Sequence, residues 1–190
     1  PGARVLPRGP GLPDDAFEHD GKMTKAEIRA LTLARLAPRR GALLWDIGCG
    51  CGSVAIEWLR LARDGEAIGL EPNAERRAMA ARNALALGAP RLELRNAKAP
   101  EGLAGLPEPD AVFIGGGLSD AVIDAALAAL KPQGTLVSNA VTLESEALLI
   151  AAQARLGGDL TRLSVARAEA IGRMQGWRPM MPVTQWSLQR

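Results

Sequence analysis

No tyrosine occurs in this chain of 190 residues, and only one histidine, His19. Catalysis through a tyrosine phenol or a pair of histidines is therefore excluded. His19 sits among acids and is expected to be a surface group. Cysteine is nearly as scarce. The two residues, Cys49 and Cys51, stand two positions apart, where a disulfide closes poorly. They build no stapling framework, and a reducing cytoplasm is the expected setting. With no further cysteine and no histidine nearby, no metal site is expected. No apolar run reaches the roughly 20 residues of a spanning helix, so no membrane segment is expected. No basic-then-apolar leader opens the chain, so no signal peptide is expected either. The first residue is Pro1 rather than Met, which suggests a fragment or a processed chain. A net charge of +2 is too small an excess to argue for nucleic acid. The hydrophobic share of 47% is enough for the core of one domain.

The most informative stretch present is Leu43-Leu44-Trp45-Asp46-Ile47-Gly48-Cys49-Gly50-Cys51-Gly52. A short apolar run carries an acid near its end, and glycine then takes alternate positions. This reads as a buried strand breaking into a tight loop whose backbone approaches a ligand, because glycine tolerates positive φ and has no Cβ. Val54, Trp58 and Leu61 follow at helical spacing, so the loop opens a helix with free N-terminal amides.

The remaining pattern alternates strands and helices. Residues 1–21, rich in Pro, Gly and acid, read as an arm or linker, and 22–190 as one domain. Thr24 and Glu27 have capping-box spacing before a helix that runs to position 36. Strands are expected at 42–47, 67–71, 91–95, 110–114 and 135–138. Helices are expected from Pro72-Asn73 to Gly88, after Ser119, and from Thr142 to about position 156. At the end, 160–170 and 182–189 read as two extended segments joined by a loop rich in Gly, Pro and Met. The strands are uniformly apolar, as when both faces of a sheet are covered. The fold class is therefore α/β: a doubly wound, Rossmann-like sheet of seven strands, mostly parallel with a C-terminal antiparallel strand pair. In such sheets ligands bind beyond the carboxyl ends of the strands, so the loops after Asp46, Glu71, Ile114 and Ser138 should share one rim.

Glu71 ends the second strand, 19 positions after Gly52. An acid there can accept both hydroxyls of a ribose. That feature serves NAD and S-adenosyl-L-methionine alike. Three features favour S-adenosyl-L-methionine: the loop is Gly48-x-Gly50-x-Gly52 rather than G-x-G-x-x-G, Asp46 precedes it, and the fold ends in an antiparallel pair. Class I methyltransferase is the reading these support. A nicotinamide-dependent oxidoreductase, a methyltransferase for another small molecule and a non-catalytic binding domain remain as alternatives.

Beyond the loop, Gly11-Leu12-Pro13-Asp14-Asp15-Ala16-Phe17 and Gly21-Lys22-Met23-Thr24-Lys25-Ala26-Glu27 resemble the entry to a known domain family. So do Ala99-Pro100-Glu101, Phe113-Ile114-Gly115-Gly116-Gly117 and Asn139-Ala140-Val141-Thr142-Leu143-Glu144. The family is the C-terminal domain of the decarboxylating precorrin-6Y C5,15-methyltransferases of cobalamin biosynthesis. The resemblance implies methylation of a precorrin tetrapyrrole at carbon 15 and loss of carbon dioxide from the acetate on carbon 12. It also implies a homotetramer and, in the full-length protein, fusion to an N-terminal methylase domain. The cofactor contacts it implies are Thr24, Gly48, Cys49, Gly50, Cys51, Gly52, Glu71 and Ala99, to which Asp46 and Gly115 are added. Many relatives carry Gly-Asp where this chain has Ala97-Lys98.

Methylation at an enamine-like ring carbon needs alignment, about 3 Å from the donor methyl, more than a strong base. Decarboxylation is harder, and Glu144 is the expected acid. Lys22, Lys25, Arg167, Arg173 and Arg178 are candidates for the substrate carboxylates. Met174, Met180, Met181 and Trp177 suit either an adaptable wall for the macrocycle or subunit packing.

Overall fold

A computed structural model describes residues 5–190, so the first four residues of the expected arm lie outside it. Five strands come first: β1 (Leu43–Ile47), β2 (Glu66–Leu70), β3 (Leu92–Arg95), β4 (Ala111–Ile114) and β5 (Thr135–Ala140). They pair in parallel in the order β3-β2-β1-β4-β5. Helix α1 (Ala26–Leu36) precedes β1. Helices α2 (Ser53–Leu61), α3 (Ala74–Ala86) and α4 (Asp120–Ala129) return the chain between strands, and α5 (Leu143–Leu156) follows β5. Four further strands complete the chain: β6 (Asp159–Leu163), β7 (Ala166–Ile171), β8 (Met174–Pro179) and β9 (Val183–Gln189). Strand β9 inserts antiparallel between β5 and β6, which closes the seven-stranded sheet β3-β2-β1-β4-β5-β9-β6. Among the described residues, no helix is long and apolar enough to cross a membrane.

The uniform apolar strands are explained by burial on both faces. Successive residues of β1 and β4 point to opposite sides. Leu44 and Phe113 join a core with α1, α2 and α3, whereas Trp45, Ile47, Val112 and Ile114 join a second core with α4 and α5. The sheet order reverses beside β1, and the loops after β1, β2 and β4 meet at that switch point.

Local signals set most helix ends. Asn73, Ser119 and Thr142 each cap a helix, accepting from the backbone N–H of Arg76, Val122 and Ser145. Thr24 does not cap α1. Lys25 holds the N-cap position without a side-chain bond, and the Ala26 N–H is met by Asp14 Oδ1 at 2.9 Å. The capping group thus arrives from the arm, 12 positions upstream, where local spacing cannot show it.

That arm is bound into the fold. Leu12 and Phe17 are buried in the core beside α1 and α2. The N–H groups of Gly11 and Leu12 donate to Glu57 at 2.6 and 2.9 Å. Buried Arg29 donates to Glu57 at 2.5 Å and to the carbonyls of Leu12 and Thr24, and its guanidinium lies 4.7 Å from the centre of the Phe17 ring. These contacts fix residues 12–24 against α1 and α2.

The C-terminal segment differs from the sequence expectation. The Gly, Pro and Met-rich stretch is a separate hairpin of β7 and β8, turned at Gly172 and Arg173, and the expected strand at 160–170 is split between β6 and β7. Gly172 has φ +60°, as the first position of a two-residue type II′ turn takes. Both strands of the hairpin are largely exposed, so no alternation of apolar and polar residues marks them.

Candidate functional site

Two adjoining cavities open along the carboxyl edge of the sheet. The glycine-loop cavity, about 470 Å³, is lined by Gly48, Gly50, Glu71, Ala97, Lys98, Ala99 and the glycines 115–117. The arm cavity, about 510 Å³, is lined by residues 21–25, Ile28, Phe113, Asn139, Val141, Met180, Met181 and Val183. Lys22 and Gly115 border both. Each has the size of an ordinary small-molecule site.

Backbone geometry builds the first cavity. Gly48 has φ +71°, and a Cβ there would come within 2.7 Å of the Gly116 backbone. The loops after β1 and β4 therefore touch main chain to main chain, and the N–H groups of Gly115 and Gly116 donate to the Ile47 carbonyl. At Gly50, φ is +55° and the Cβ position meets nothing within 4 Å. The loop presents bare backbone there. Glu71, only 4% exposed, accepts the Gly50 N–H on Oε2 at 3.0 Å and the Asn73 N–H on Oε1 at 2.9 Å. Two backbone donors thus hold this carboxylate in one orientation, and each oxygen keeps room for another donor. A vicinal pair of hydroxyls is the group such a carboxylate takes.

Beneath the loop lie residues that support it. Asp46 is buried and accepts the Ala55 N–H of α2 on Oδ2 at 3.1 Å, while Oδ1 has no partner. Burial, reinforced by the charge of Glu71, pushes its pKa up to about 7. The Cys49 sulfur packs over β2, where a Cβ on Gly69 would lie 2.8 Å from it. Burial raises the pKa of both thiols, which makes Cys49 and Cys51 packing groups rather than nucleophiles. Gly52 starts α2 with φ +80°, and a Cβ there would press on Ala80, Ile56 and Leu92.

The structure therefore brings Gly48, Gly50, Glu71, Ala99 and Gly115 to one cavity, and leaves Asp46, Cys49, Cys51 and Gly52 behind its wall. Thr24 lines the arm cavity instead, and Ala97-Lys98 both border the glycine-loop cavity. Lys22 and Lys25 stand at the arm cavity. The arginines do not. Arg167 is held by Glu27 at 2.6 Å and Asp14 at 2.9 Å, and these bonds keep its guanidinium firmly protonated while lowering the pKa of Glu27. Arg178 pairs with Glu169 on the hairpin at 3.0 Å, and Arg173 forms the hairpin turn. Glu144 stands exposed on the first turn of α5 and lines neither cavity. None of the residues lining the arm cavity is an acid or a histidine.

Sequence reasoning missed Phe113, Asn139 and Val183 in the arm cavity and Arg76 at the rim of the other. Strand β5 runs two residues past its expected end at Ser138, and that extension carries Asn139 into the sheet. The register of β5 against β9 could have flagged it, had β9 been recognised as a direct neighbour.

A family model described as a precorrin methyltransferase domain matches residues 15–190. The chain is 56% identical over 187 residues to a precorrin-6Y C(5,15)-methyltransferase [decarboxylating] from Sinorhizobium sp, covering 98% of this chain and 45% of that protein. It thus spans about half the length of that relative. It is 40% identical over 182 residues to a probable cobalt-precorrin-6B C(15)-methyltransferase (decarboxylating) from Pyrobaculum calidifontis, covering 92% of this chain and 93% of that protein. Among solved structures, the C-terminal domain of precorrin-6Y C5,15-methyltransferase from Rhodobacter capsulatus superposes with a TM-score of 0.91 at 51% identity, over 97% of this chain and all of that one.

Proposed function

Because the chain belongs to the precorrin methyltransferase domain family, we propose that it transfers a methyl group from S-adenosyl-L-methionine to carbon 15 of a precorrin and removes the carbon 12 acetate carboxyl as carbon dioxide. The observation that carries this reading is the pairing of the two cavities. A fixed carboxylate and a bare glycine loop border one, two lysines and an apolar wall border the other, and both open on Gly115.

The residues fit the cofactor. Glu71 would accept the ribose hydroxyls, the backbone at Gly48 and Gly50 would cradle the methionine end, and Ala97, Lys98 and Ala99 would flank the adenine. When bound, S-adenosyl-L-methionine supplies an electrophilic methyl on sulfonium sulfur. The chain's own work is alignment and exclusion of water. Gly115, which borders both cavities, puts no side chain between them. Lys22 and Lys25 would hold acceptor carboxylates, while Met23, Ile28, Phe113, Met180 and Met181 would cover the macrocycle. A carboxylate buried against this apolar wall would lose hydration that favours its charge, which promotes its departure as carbon dioxide. The electron pair of the broken C–C bond would pass into the conjugated ring. With no acid lining the cavity, a proton from water would complete the methyl group left on carbon 12.

The reading extends to a homotetramer in the cytoplasm and to an N-terminal methylase domain in the full-length protein. Ile171, Met174, Trp177 and Met181 are 65–77% exposed on and beside the hairpin, an apolar surface suited to self-association. The share of 45% of a relative's length supports the fusion. Sedimentation velocity would test the tetramer; a monomer at micromolar concentration would remove it.

Incubation of the chain with a precorrin acceptor and methyl-labelled cofactor, followed by mass spectrometry, tests the activity. Gain of one methyl with loss of carbon dioxide is expected; unchanged acceptor would overturn it. Calorimetry should show binding of S-adenosylhomocysteine and none of NADH, and the reverse would favour an oxidoreductase.

A further inference from the structure

Asn139 belongs to a polar cluster in which the other side-chain donors are already placed. It stands on β5 directly opposite Gln185 on β9, and both side chains meet Thr32 of α1. The Thr32 hydroxyl donates to the Ile28 carbonyl at 2.8 Å. Its oxygen must then accept, and it does so from Asn139 Nδ2 at 2.9 Å and Gln185 Nε2 at 3.1 Å. The second N–H of Gln185 donates to Asn139 Oδ1 at 2.9 Å. These bonds use the Thr32 hydroxyl, both N–H groups of Gln185 and the Asn139 carbonyl oxygen. One Asn139 N–H is left over. Thr32 and Gln185 are 0% and 3% exposed, and Asn139 is the member of the cluster that lines the arm cavity. The amide cannot flip without setting donor against donor at Gln185 and acceptor against acceptor at Thr32.

We propose that Asn139 reads an acceptor carboxylate oxygen through this remaining N–H, with Thr32 as the positioning residue that keeps the amide turned as a donor. The inference rests on the reading of the arm cavity as the acceptor site. It adds a fixed directional contact to the mobile charges of Lys22 and Lys25, which also line that cavity. A donor of fixed direction selects where a carboxylate sits, whereas a lysine mainly selects its charge.

The test uses the full chain with Asn139→Ala, Asn139→Asp, Thr32→Val and Thr32→Ser. KM and kcat are measured for the precorrin acceptor, and dissociation constants for uroporphyrin, a polycarboxylate porphyrin probe, by fluorescence titration. S-adenosylhomocysteine affinity reports whether each variant is folded. Asn139→Ala should raise KM and the uroporphyrin dissociation constant about tenfold to a hundredfold, the range for a lost bond to a charged group. Asn139→Asp should do more, since it sets a second negative charge against the ligand. Thr32→Val should follow Asn139→Ala, and Thr32→Ser should restore wild-type values, which a purely structural role of the methyl group would not produce. Unchanged acceptor and probe affinity in folded Asn139→Ala, or equal defects in Thr32→Val and Thr32→Ser, would overturn the proposal. Wild-type chain that binds uroporphyrin through Asn139 but transfers no methyl would instead refute the proposed activity.

Discussion

The two cavities share Lys22 and Gly115, yet they are made from different materials. Apart from Lys22 of the arm, Arg76 of α3 and Lys98 after β3, the glycine-loop cavity is formed by main chain, small or apolar residues and one clamped carboxylate at or just after the ends of β1, β2, β3 and β4. Side chains from four distant segments form the arm cavity: the stretch before and within α1, the end of β4, the end of β5 and the loop into β9. The first is rigid because its groups are backbone or bonded to backbone. The second depends on the packing of an arm, held by the buried Arg29–Glu57 pair, and of a hairpin, tied to it by the half-exposed Arg167. A cofactor shared by many enzymes suits the first design, and an acceptor peculiar to one family suits the second.

Substitution of Gly50 by Val should give the largest effect. Valine resists φ +55°, and its side chain would fill the space the loop leaves open. Calorimetry should detect no S-adenosylhomocysteine binding, while uroporphyrin still binds the arm cavity. Retained S-adenosylhomocysteine affinity would break the division between the cavities.

Glu57→Gln attacks the other side. It leaves Arg29, fully buried, without its closest charge partner and removes an acceptor from the Gly11 and Leu12 amides. Breaking a buried pair in this way costs about 3–5 kcal/mol. Urea denaturation should show that loss, and acceptor affinity should fall while S-adenosylhomocysteine affinity holds.

The same contrast explains what the sequence made legible. Gly48, Gly50 and Glu71 were readable because backbone conformation leaves a local signature: alternating glycines, then an acid at the next strand end. The parallel strands were readable because burial on both faces leaves uninterrupted apolar runs. The cap on α1 was not, since Asp14 comes from the arm. Nor was the exposed hairpin, which has no buried face to impose a period. Asn139 needed the register of β5 on β9, a pairing across 46 positions. Charge alone does not tell a free cation from one like Arg167, already held by Asp14 and Glu27.

Asp46 sharpens the comparison through pH. Its folded-state pKa of about 7 lies above the ordinary value of 3.8. Below about pH 4 it is protonated in both states and has no effect. Between there and pH 7 the folded chain keeps a proton that the unfolded chain has released, so stability falls as pH rises. Above pH 7 the loss is complete and constant. Asp46→Asn can keep the bond to the Ala55 N–H without the buried charge. It should remove this slope and raise stability at pH 8 by on the order of 4 kcal/mol. Parallel pH profiles of the two proteins would mean that Asp46 is solvated after all, and that the floor of the glycine loop is less dry than its burial indicates.

Glu144→Gln should have the smallest effect. The side chain is exposed at the first turn of α5, where a negative charge contributes a few tenths of a kcal/mol through the helix dipole. Val141, three positions earlier, lines the arm cavity, so the acid stands near the site without bordering it. Mass spectrometry of the products should show the same ratio of decarboxylated to merely methylated tetrapyrrole as in the wild type. A selective fall in the decarboxylated product would mean that the start of α5 reaches the acceptor. The arm cavity would then gain an acid, and desolvation against an apolar wall would no longer be the main drive for losing carbon dioxide.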